Sequence, residues 1–305
     1  MYIENAYLGK NPKWLYIFYP LAFFGLMAIN LLASLVLDVN ILMKNVIEEK
    51  GELRYFAEDM MIPFAVFCVS LLAWVRYVHG QPLKAFHTTR TKIDWKRFFF
   101  AFFLWGSVTT TVIVVDFWLS PESYIWNFQA DKFFILLILT ILLIPFQAGF
   151  EEYFFRGYLM QCLGIWVKNR WFPLIFTSLT FGLVHIANPE VSKLGYGAIF
   201  YYIGTGLFLG IITLMDEGLE LALGFHIANN MITALLITSD WSVMQLPSMF
   251  KDISEPSFGL EILLPILVYL PILLYIFAKK YRWTNWKEKL LGRVLTEKEF
   301  LELKQ

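Results

Sequence analysis

Charged residues are scarce in this sequence. They make up 16% of its 305 residues, whereas ordinary soluble domains have about 25%. The 25 Lys and Arg residues balance the 25 Asp and Glu residues, so no strong positive field favours a nucleic acid as partner. Cysteine is scarcer still. Cys68 and Cys162 are too few for a disulfide scaffold and lack the CxxC spacing of a zinc knuckle.

Apolar residues are abundant instead: 58% of the chain is hydrophobic and 18% is aromatic. Eight apolar segments are long enough to cross a hydrocarbon core of about 30 Å. Each is expected to be a helix, because an open sheet edge in lipid leaves backbone polar groups unpaired. The predicted fold class is therefore all-α, a polytopic membrane helical bundle with about eight transmembrane helices. The segments cover residues 14–37, 60–78, 98–119, 133–166, 171–187, 196–215, 219–238 and 260–278.

Basic residues are distributed unevenly between the two sides of these predicted spans. With a cytoplasmic N-terminus, the outer side holds only Lys44, Lys50, Arg54, Lys132, Lys193 and Lys251, which satisfies the positive-inside rule. The first apolar segment is of full spanning length and no small-residue cleavage site follows it, so we expect a membrane span rather than a signal peptide. We expect a multi-pass protein of the plasma membrane with both termini in the cytoplasm. The compact chain favours a bacterial origin.

Two stretches are expected to depart from simple spans. The fourth segment is too long for one straight helix, and Pro145 and Gly149 are expected to kink or break it. The basic, Trp-containing tail after residue 278 is typical of an anchor at the membrane interface. Within the tail, Thr296 followed by Glu299 predicts a capping box that starts a short helix. The tail is expected to be solvated and to lie on anionic lipid.

Ionisable residues inside the predicted spans are few. A charge in the membrane is costly, so each is by default a functional-site hypothesis. Glu152 and Arg156 are four residues apart, which places them on one helix face and allows an ion pair. Glu151 is rotated by about 100° from Glu152 and can meet another helix. The candidate residues are Glu151, Glu152 and Arg156 in the fourth segment, His185 in the fifth, and His226 and Asn230 in the seventh.

Sequence spacing predicts that these groups converge. Glu151 and His185 are equally distant from Lys168, which lies at a predicted helical hairpin turn. Equal distances from a turn place two residues of an antiparallel helix pair at the same height. His226 and Asn230 are four residues apart and share a helix face, so either can reach Glu151 across a helix contact.

A desolvated glutamate with histidines nearby is suited to activate a water molecule. Glu151 is predicted to act as general base on a water that attacks a peptide carbonyl. His226 and Asn230 can donate hydrogen bonds to the developing oxyanion. His185 can orient the water or protonate the leaving amine. The predicted reaction is hydrolysis of a peptide bond.

Three motifs in order carry a family resemblance: EExxxR at 151–156, FxxxH at 181–185 and HxxxN at 226–230. Together they resemble the CPBP family (CAAX protease and bacteriocin processing, also called ABI), which includes the type II CAAX prenyl endopeptidase. The resemblance covers residues 133–238, between three N-terminal helices (1–132) and a last helix with a basic amphipathic tail (239–305). It implies an intramembrane glutamic endopeptidase. Its implied catalytic residues are Glu151, His185, His226 and Asn230, supported by a structural ion pair of Glu152 and Arg156.

The expected substrates are hydrophobic peptides, prenylated or not, or membrane-protein termini, and the expected surroundings are a lipid bilayer. No nucleic acid, no cofactor and no metal are expected, and nothing in the sequence indicates an oligomeric state. Three alternatives stay open. Two histidines and a glutamate can hold zinc, although no HExxH motif is present. A scaffold or immunity protein of the same fold would bind a partner protein. A transporter fits the midplane charges but lacks a repeated pair of broken segments.

Overall fold

The structure is a computed structural model that describes residues 1–256 and 259–304. Residues 257, 258 and 305 of the predicted C-terminal region (239–305) lie outside the described residues. A short 3₁₀ helix, Ile3–Leu8, comes first. The helices that follow are α1 (Lys13–Val36), α2 (Val39–Lys50), α3 (Glu52–Val78), α4 (Leu83–His87), α5 (Trp95–Leu119), α6 (Ala130–Val167), α7 (Trp171–Leu183), α8 (Pro189–Leu194), α9 (Ala198–Asp216), α10 (Glu220–Leu236), α11 (Ile262–Lys280), α12 (Trp286–Leu291) and α13 (Glu297–Glu302).

The long helices form a bundle with two ends. Near the start of α1, the amide nitrogen of Lys10 donates to the carbonyl oxygen of His79 just after α3, over 2.7 Å. We call this end, which also holds the C-terminal helices, the termini end. The opposite end, where α1 finishes and α6 begins, is called the distal end.

Six helices in the described part of the chain are long and apolar enough to cross a bilayer: α1, α3, α5, α6, α9 and α11. The all-α, multi-span membrane bundle is thereby confirmed. The remaining two of the eight expected spans are shorter helices, with 13 residues in α7 and 17 in α10. Every residue of α10 from Glu220 to Ala228 is buried. Because protein surrounds this helix, it does not need the length of a span in contact with lipid.

Helix α6 carries both glutamates of the EExxxR motif. Pro145 and Gly149 do not break the helix, since Ala130–Glu152 is one continuous α-helix; a kink there stays a prediction. Neighbouring helices re-satisfy the backbone groups that a proline frees inside a membrane helix, so Pro145 is tolerated. The departure from α-geometry lies after the glutamates, where Tyr153–Leu159 is π-helical. Such single-turn π segments are frequent at functional sites.

The termini end of the bundle is closed by the N-terminal 3₁₀ helix. Five of its six residues are buried. Glu4 pairs with Arg170 at 2.6 Å, and the side chain of Asn5 donates to the carbonyl oxygen of Ala85 over 2.8 Å. This helix is therefore part of the core.

The C-terminal tail packs against the same end. The predicted capping box of α13 is confirmed, because Thr296 and Glu299 each bond the other's backbone amide. The expectation of a solvated tail on lipid is wrong for its last part, where Val294 and Phe300 are buried. The ring of Phe300 lies 6.0 Å from that of Tyr7. Burying this apolar surface against the 3₁₀ helix stabilises the tail more than contact with water would.

Three short strands tie the loops of the distal end together. They are β1 (Tyr124–Trp126), β2 (Ile237–Ser239) and β3 (Phe250–Asp252), and β3 lies between the other two. It is antiparallel to β1 and parallel to β2. Because β2 directly follows α10, the sheet holds the distal end of α10 in place.

Glycines allow the helices around the site to approach closely. A Cβ atom at Gly224 in α10 would meet the carbonyl oxygen of Phe98 in α5. A Cβ atom at Gly206 in α9 would lie 3.0 Å from the carbonyl oxygen of Ser178 in α7. In both places the obstacle is backbone, which cannot rotate away as a side chain can.

The substitution Gly224→Ala is therefore expected to destabilise the protein. Overpacking of this kind costs about 1–3 kcal/mol and lowers the midpoint of thermal unfolding in detergent, measured by tryptophan fluorescence. Gly25→Ala in α1 is the matched control, because no atom lies within 4 Å of a Cβ at Gly25. Equal midpoints for the two variants would contradict the close contact between α10 and α5.

Candidate active site

Two helices supply most of the polar groups in the middle of the bundle. Helix α6 carries Glu151 and Glu152, and α10 carries His226 and Asn230. The three ionisable groups are buried: Glu151 and His226 are each 7% exposed and Glu152 is 0% exposed. They therefore face protein and not lipid.

Arg156 is fully buried and joins three elements. Its Nη1 donates to Glu152 Oε1 over 2.9 Å, and its Nη2 donates to the carbonyl oxygen of Gly206 over 3.1 Å. The guanidinium lies 4.3 Å from the ring centroid of Phe181. Glu152 Oε1 also accepts a hydrogen bond from His226 Nδ1 over 2.7 Å. Glu152 thus binds Arg156 and orients the ring of His226, a second contact that the i,i+4 spacing did not predict.

The two carboxylate oxygens of Glu151 have different surroundings. Oε1 accepts a hydrogen bond from Gln147 Nε2 over 2.6 Å. Oε2 is buried without a hydrogen-bond partner in the protein and lies 3.5 Å from His226 Nε2. That separation exceeds the usual N–H···O distance of about 2.9 Å. Glu151 Oε2, like the buried Glu152 Oε2, is therefore an acceptor that no protein donor satisfies.

A series of side-chain donors points toward Glu151. Trp105 Nε1 donates to Asn229 Oδ1 over 3.1 Å, and Asn229 Nδ2 donates to Asn230 Oδ1 over 3.0 Å. Asn230 Nδ2 then donates to Gln147 Oε1 over 2.8 Å, and Gln147 bonds Glu151. Bonds aligned in this way polarise one another and hold the Glu151 carboxylate in one orientation. The i,i+4 spacing of Gln147 and Glu151 places both on one helix face and explains their bond.

His185 lies in the turn that follows α7. Its Nδ1 donates to the carbonyl oxygen of Phe181 over 2.6 Å, which leaves Nε2 as the acceptor nitrogen of a neutral ring. The ring stacks on Tyr202, with centroids 4.1 Å apart and planes 16° apart. The polar contacts of Glu151 are with Gln147 and His226, so His185 shares its cavity without bonding to it.

Several of these groups line one cavity of about 690 Å³. Beyond the predicted residues its wall includes Glu190 of α8, which sequence analysis missed because it lies outside the apolar segments. Glu190 Oε1 accepts a hydrogen bond from the amide of Val243 over 2.8 Å, whereas Oε2 is buried without a partner. Desolvation raises the pKa of this carboxyl group. The predicted residues that line the cavity are Glu151, His185, His226 and Asn230.

A catalytic zinc ion takes three protein ligands. Among residues 1–256 and 259–304, no group of three or more His, Cys, Asp and Glu side chains is arranged to hold a metal. The Nδ1 atoms of His185 and His226 are both bonded to oxygens of the protein, which fixes the orientation of each ring. The site thus combines a carboxylate, two imidazoles and amide donors.

The chain is similar to a known protein family and to a bacterial protein. Residues 131–232 match the family described as Type II CAAX prenyl endopeptidase Rce1-like, and this segment contains the four predicted catalytic residues. A protein of Bacillus subtilis (strain 168), named "Uncharacterized protein YyaK", is 31% identical over 251 residues, which cover 79% of this chain and 84% of that protein. No solved structure matches the chain significantly.

Proposed function

The chain belongs to the Rce1-like family of type II CAAX prenyl endopeptidases, a family of membrane proteases, and from this premise we propose that it is an intramembrane endopeptidase in which Glu151 activates water. One observation carries the proposal. Glu151 Oε2 is a buried acceptor without a protein partner, it lies 3.5 Å from His226 Nε2, and both residues line the same cavity.

Glu151 Oε2 is the group that binds the attacking water. The water oxygen lies about 2.8 Å from Oε2 in such a bond, beside the ring of His226. Glu151 Oε2 takes a proton from this water as the water oxygen forms a bond to the peptide carbonyl carbon. Gln147, itself bonded by Asn230, donates to the other carboxylate oxygen and fixes the orientation of Glu151.

The remaining polar groups stabilise the tetrahedral intermediate or orient the water. Asn230 Nδ2 has two hydrogens and uses one on Gln147, so the other can bind the oxyanion, as can a protonated His226. When the C–N bond breaks, the proton held by Glu151 passes to the leaving amine. His185 Nε2, an acceptor in the neutral ring, orients the attacking water. The products are a carboxylate and an amine, and no cofactor is consumed.

The cavity also limits the substrate class. Its wall contains many aromatic side chains, among them Phe23, Phe64 and Phe181, besides the polar site. Such a wall favours hydrophobic peptides, with or without a prenyl group, and the termini of membrane proteins. The Bacillus relative fits a bacterial plasma membrane as the location.

A peptide cleavage assay tests the function. Purified protein in lipid nanodiscs is incubated with prenylated and unprenylated hydrophobic peptides, and the products are identified by mass spectrometry. Cleavage that withstands 1,10-phenanthroline supports the glutamate mechanism. Activity that is lost to the chelator and restored by zinc indicates the zinc-dependent alternative. Peptide binding without cleavage indicates the non-catalytic scaffold.

A substitution at Asn230 tests its role as oxyanion donor. Asn230→Ala is expected to lower kcat by about 10²–10³-fold, because removal of one oxyanion donor costs about that much, with little change in KM. Thr111→Ala, on the exposed surface of α5, is the control and retains the wild-type kcat. A reduced affinity for peptide with unchanged kcat would assign Asn230 to substrate binding instead.

A further inference from the structure

The cavity is formed from the distal end of the bundle. Its wall includes Asp59 near the start of α3, Glu190 of α8, and Trp241 and Met244 in the loop after β2. The hydrogen bond between Glu190 and the amide of Val243 joins two of these distal segments. These residues lie at the distal helix ends, beyond them or, for Asp59, within the first two turns of α3, so the cavity extends from Glu151 toward the distal end.

A smaller apolar pocket of about 210 Å³ adjoins the cavity on the side where α1 passes α7. The two pockets share Met27, Asn30, Val184 and Ala187. These residues belong to the second half of α1 and to the turn after α7, again nearer the distal end. An apolar substrate segment can occupy this pocket while its peptide bond lies at Glu151.

In the opposite direction the interior is packed. Phe86 of α4 is 1% exposed and Tyr2 is 0% exposed, and the hydroxyl of Tyr2 donates to the carbonyl oxygen of Phe86 over 3.0 Å. A Cβ atom at Gly157, one turn after Glu152, would lie 2.7 Å from the Phe86 ring. A substrate therefore cannot reach Glu151 from the termini end without displacing this packed layer.

Buried ion pairs hold the same end together. Arg90 pairs with Asp216 at 2.8 Å and with Glu220 at 3.0 Å, and thereby joins the α4–α5 loop to α9 and α10. Asp216 also pairs with Arg97. Removing one partner of such a pair is costly, so thermal motion does not open this face easily.

The distribution of basic residues indicates which end of the bundle faces the cytoplasm. The distal segments hold Lys44, Lys50, Arg54, Lys132, Lys193 and Lys251, and apart from Arg156 in the middle every other Lys and Arg lies toward the termini end. By the positive-inside rule the termini end is cytoplasmic. The distal end is then extracytoplasmic.

We propose that the cavity opens on the extracytoplasmic side of the membrane and that the substrate is a peptide segment presented there. This inference rests on the proposed function for what happens at Glu151, but the direction of access follows from packing and charge alone. Among the substrates of the proposed function, it favours segments outside the membrane over the prenylated C-terminus of a cytoplasmic protein. The segments that fit are hydrophobic parts of exported peptides or of membrane proteins that face outward.

Cysteine labelling in intact bacterial cells tests the direction of access. In a background with Cys68→Ala and Cys162→Ala, three single reporters are compared: Thr233→Cys in the cavity wall, Glu122→Cys on the exposed distal surface, and Lys92→Cys on the exposed termini surface. The probe is a small, charged, membrane-impermeant methanethiosulfonate reagent. We expect it to modify the Thr233 and Glu122 reporters in intact cells and the Lys92 reporter only after permeabilisation.

Two results would overturn the proposal. One is a Thr233 reporter that reacts only after permeabilisation, as the Lys92 reporter does; the other is a Thr233 reporter that stays unmodified while the Glu122 reporter reacts. The labelling needs no proteolysis. A protein that is labelled as expected but cleaves no peptide refutes the proposed function and leaves the direction of access intact.

Discussion

Replacing Glu151 by glutamine is expected to reduce peptide cleavage by about 10²–10⁴-fold, the contribution typical of a positioned general base. Glutamine has the same shape but no basic oxygen that can take a proton from water. The effect is expected in kcat, with KM nearly unchanged, because the side chain acts on the water and not on the peptide. Cleavage is measured with the purified variant in nanodiscs under the conditions used for the wild type.

The fold should survive this substitution. The bond from Gln147 Nε2 to Oε1 of residue 151 can form with an amide oxygen as well as with a carboxylate. The substitution also removes a buried charge that has no partner on Oε2, so the midpoint of thermal unfolding should not fall. A variant that loses activity while keeping this midpoint separates the chemical role from a structural one.

Glu48→Gln is the matched control for Glu151→Gln. Glu48 is an exposed glutamate of α2 whose side chain lies 3.8 Å from Lys44. The same chemical change there should leave kcat at the wild-type value. If Glu151→Gln cleaved peptide as fast as the Glu48 variant, Glu151 would not be the base.

Helix periodicity predicted the contacts and side-chain directions that are set within a single helix. The i,i+4 relation brought Glu152 to Arg156 and set Glu151 on a different face, and the structure has both features. Hydropathy found the long helices that lipid surrounds. It overestimated the lengths of α7 and α10, because a buried helix in a membrane protein is as apolar as one that faces lipid.

Contacts between distant segments were not predictable in this way. Tyr2 and Phe86 are far apart in the sequence yet form the packed layer at the termini end. Glu190 lies in a short helix outside the apolar segments, so neither hydropathy nor helix periodicity pointed to it. The side on which the cavity opens depends on such contacts. Sequence analysis placed the candidate residues without showing how a substrate reaches them.

Replacing Glu152 by alanine is expected to cost stability as well as activity. The change leaves the guanidinium of Arg156 buried with only the carbonyl oxygen of Gly206 as a polar partner. Breaking a buried ion pair by removing one partner costs about 3–5 kcal/mol. For a chain of this length the midpoint of thermal unfolding falls by roughly 5–8 °C. His226 also loses the acceptor of its Nδ1 proton, so the folded fraction should cleave slowly.

The control for Glu152→Ala is a similar pair in an exposed place. Arg54 and Glu58 are also four residues apart and 3.1 Å from each other, but their side chains are 66% and 43% exposed. Because such pairs contribute about 0.3–0.5 kcal/mol, Glu58→Ala should barely move the midpoint. The double variant Glu152→Gln with Arg156→Met should unfold at a higher temperature than Glu152→Ala, since it leaves no unpaired buried charge while retaining an acceptor for His226. If Glu152→Ala and Glu58→Ala unfolded at the same temperature, the buried pair would not hold α6 in place, and Glu152 would act only through His226.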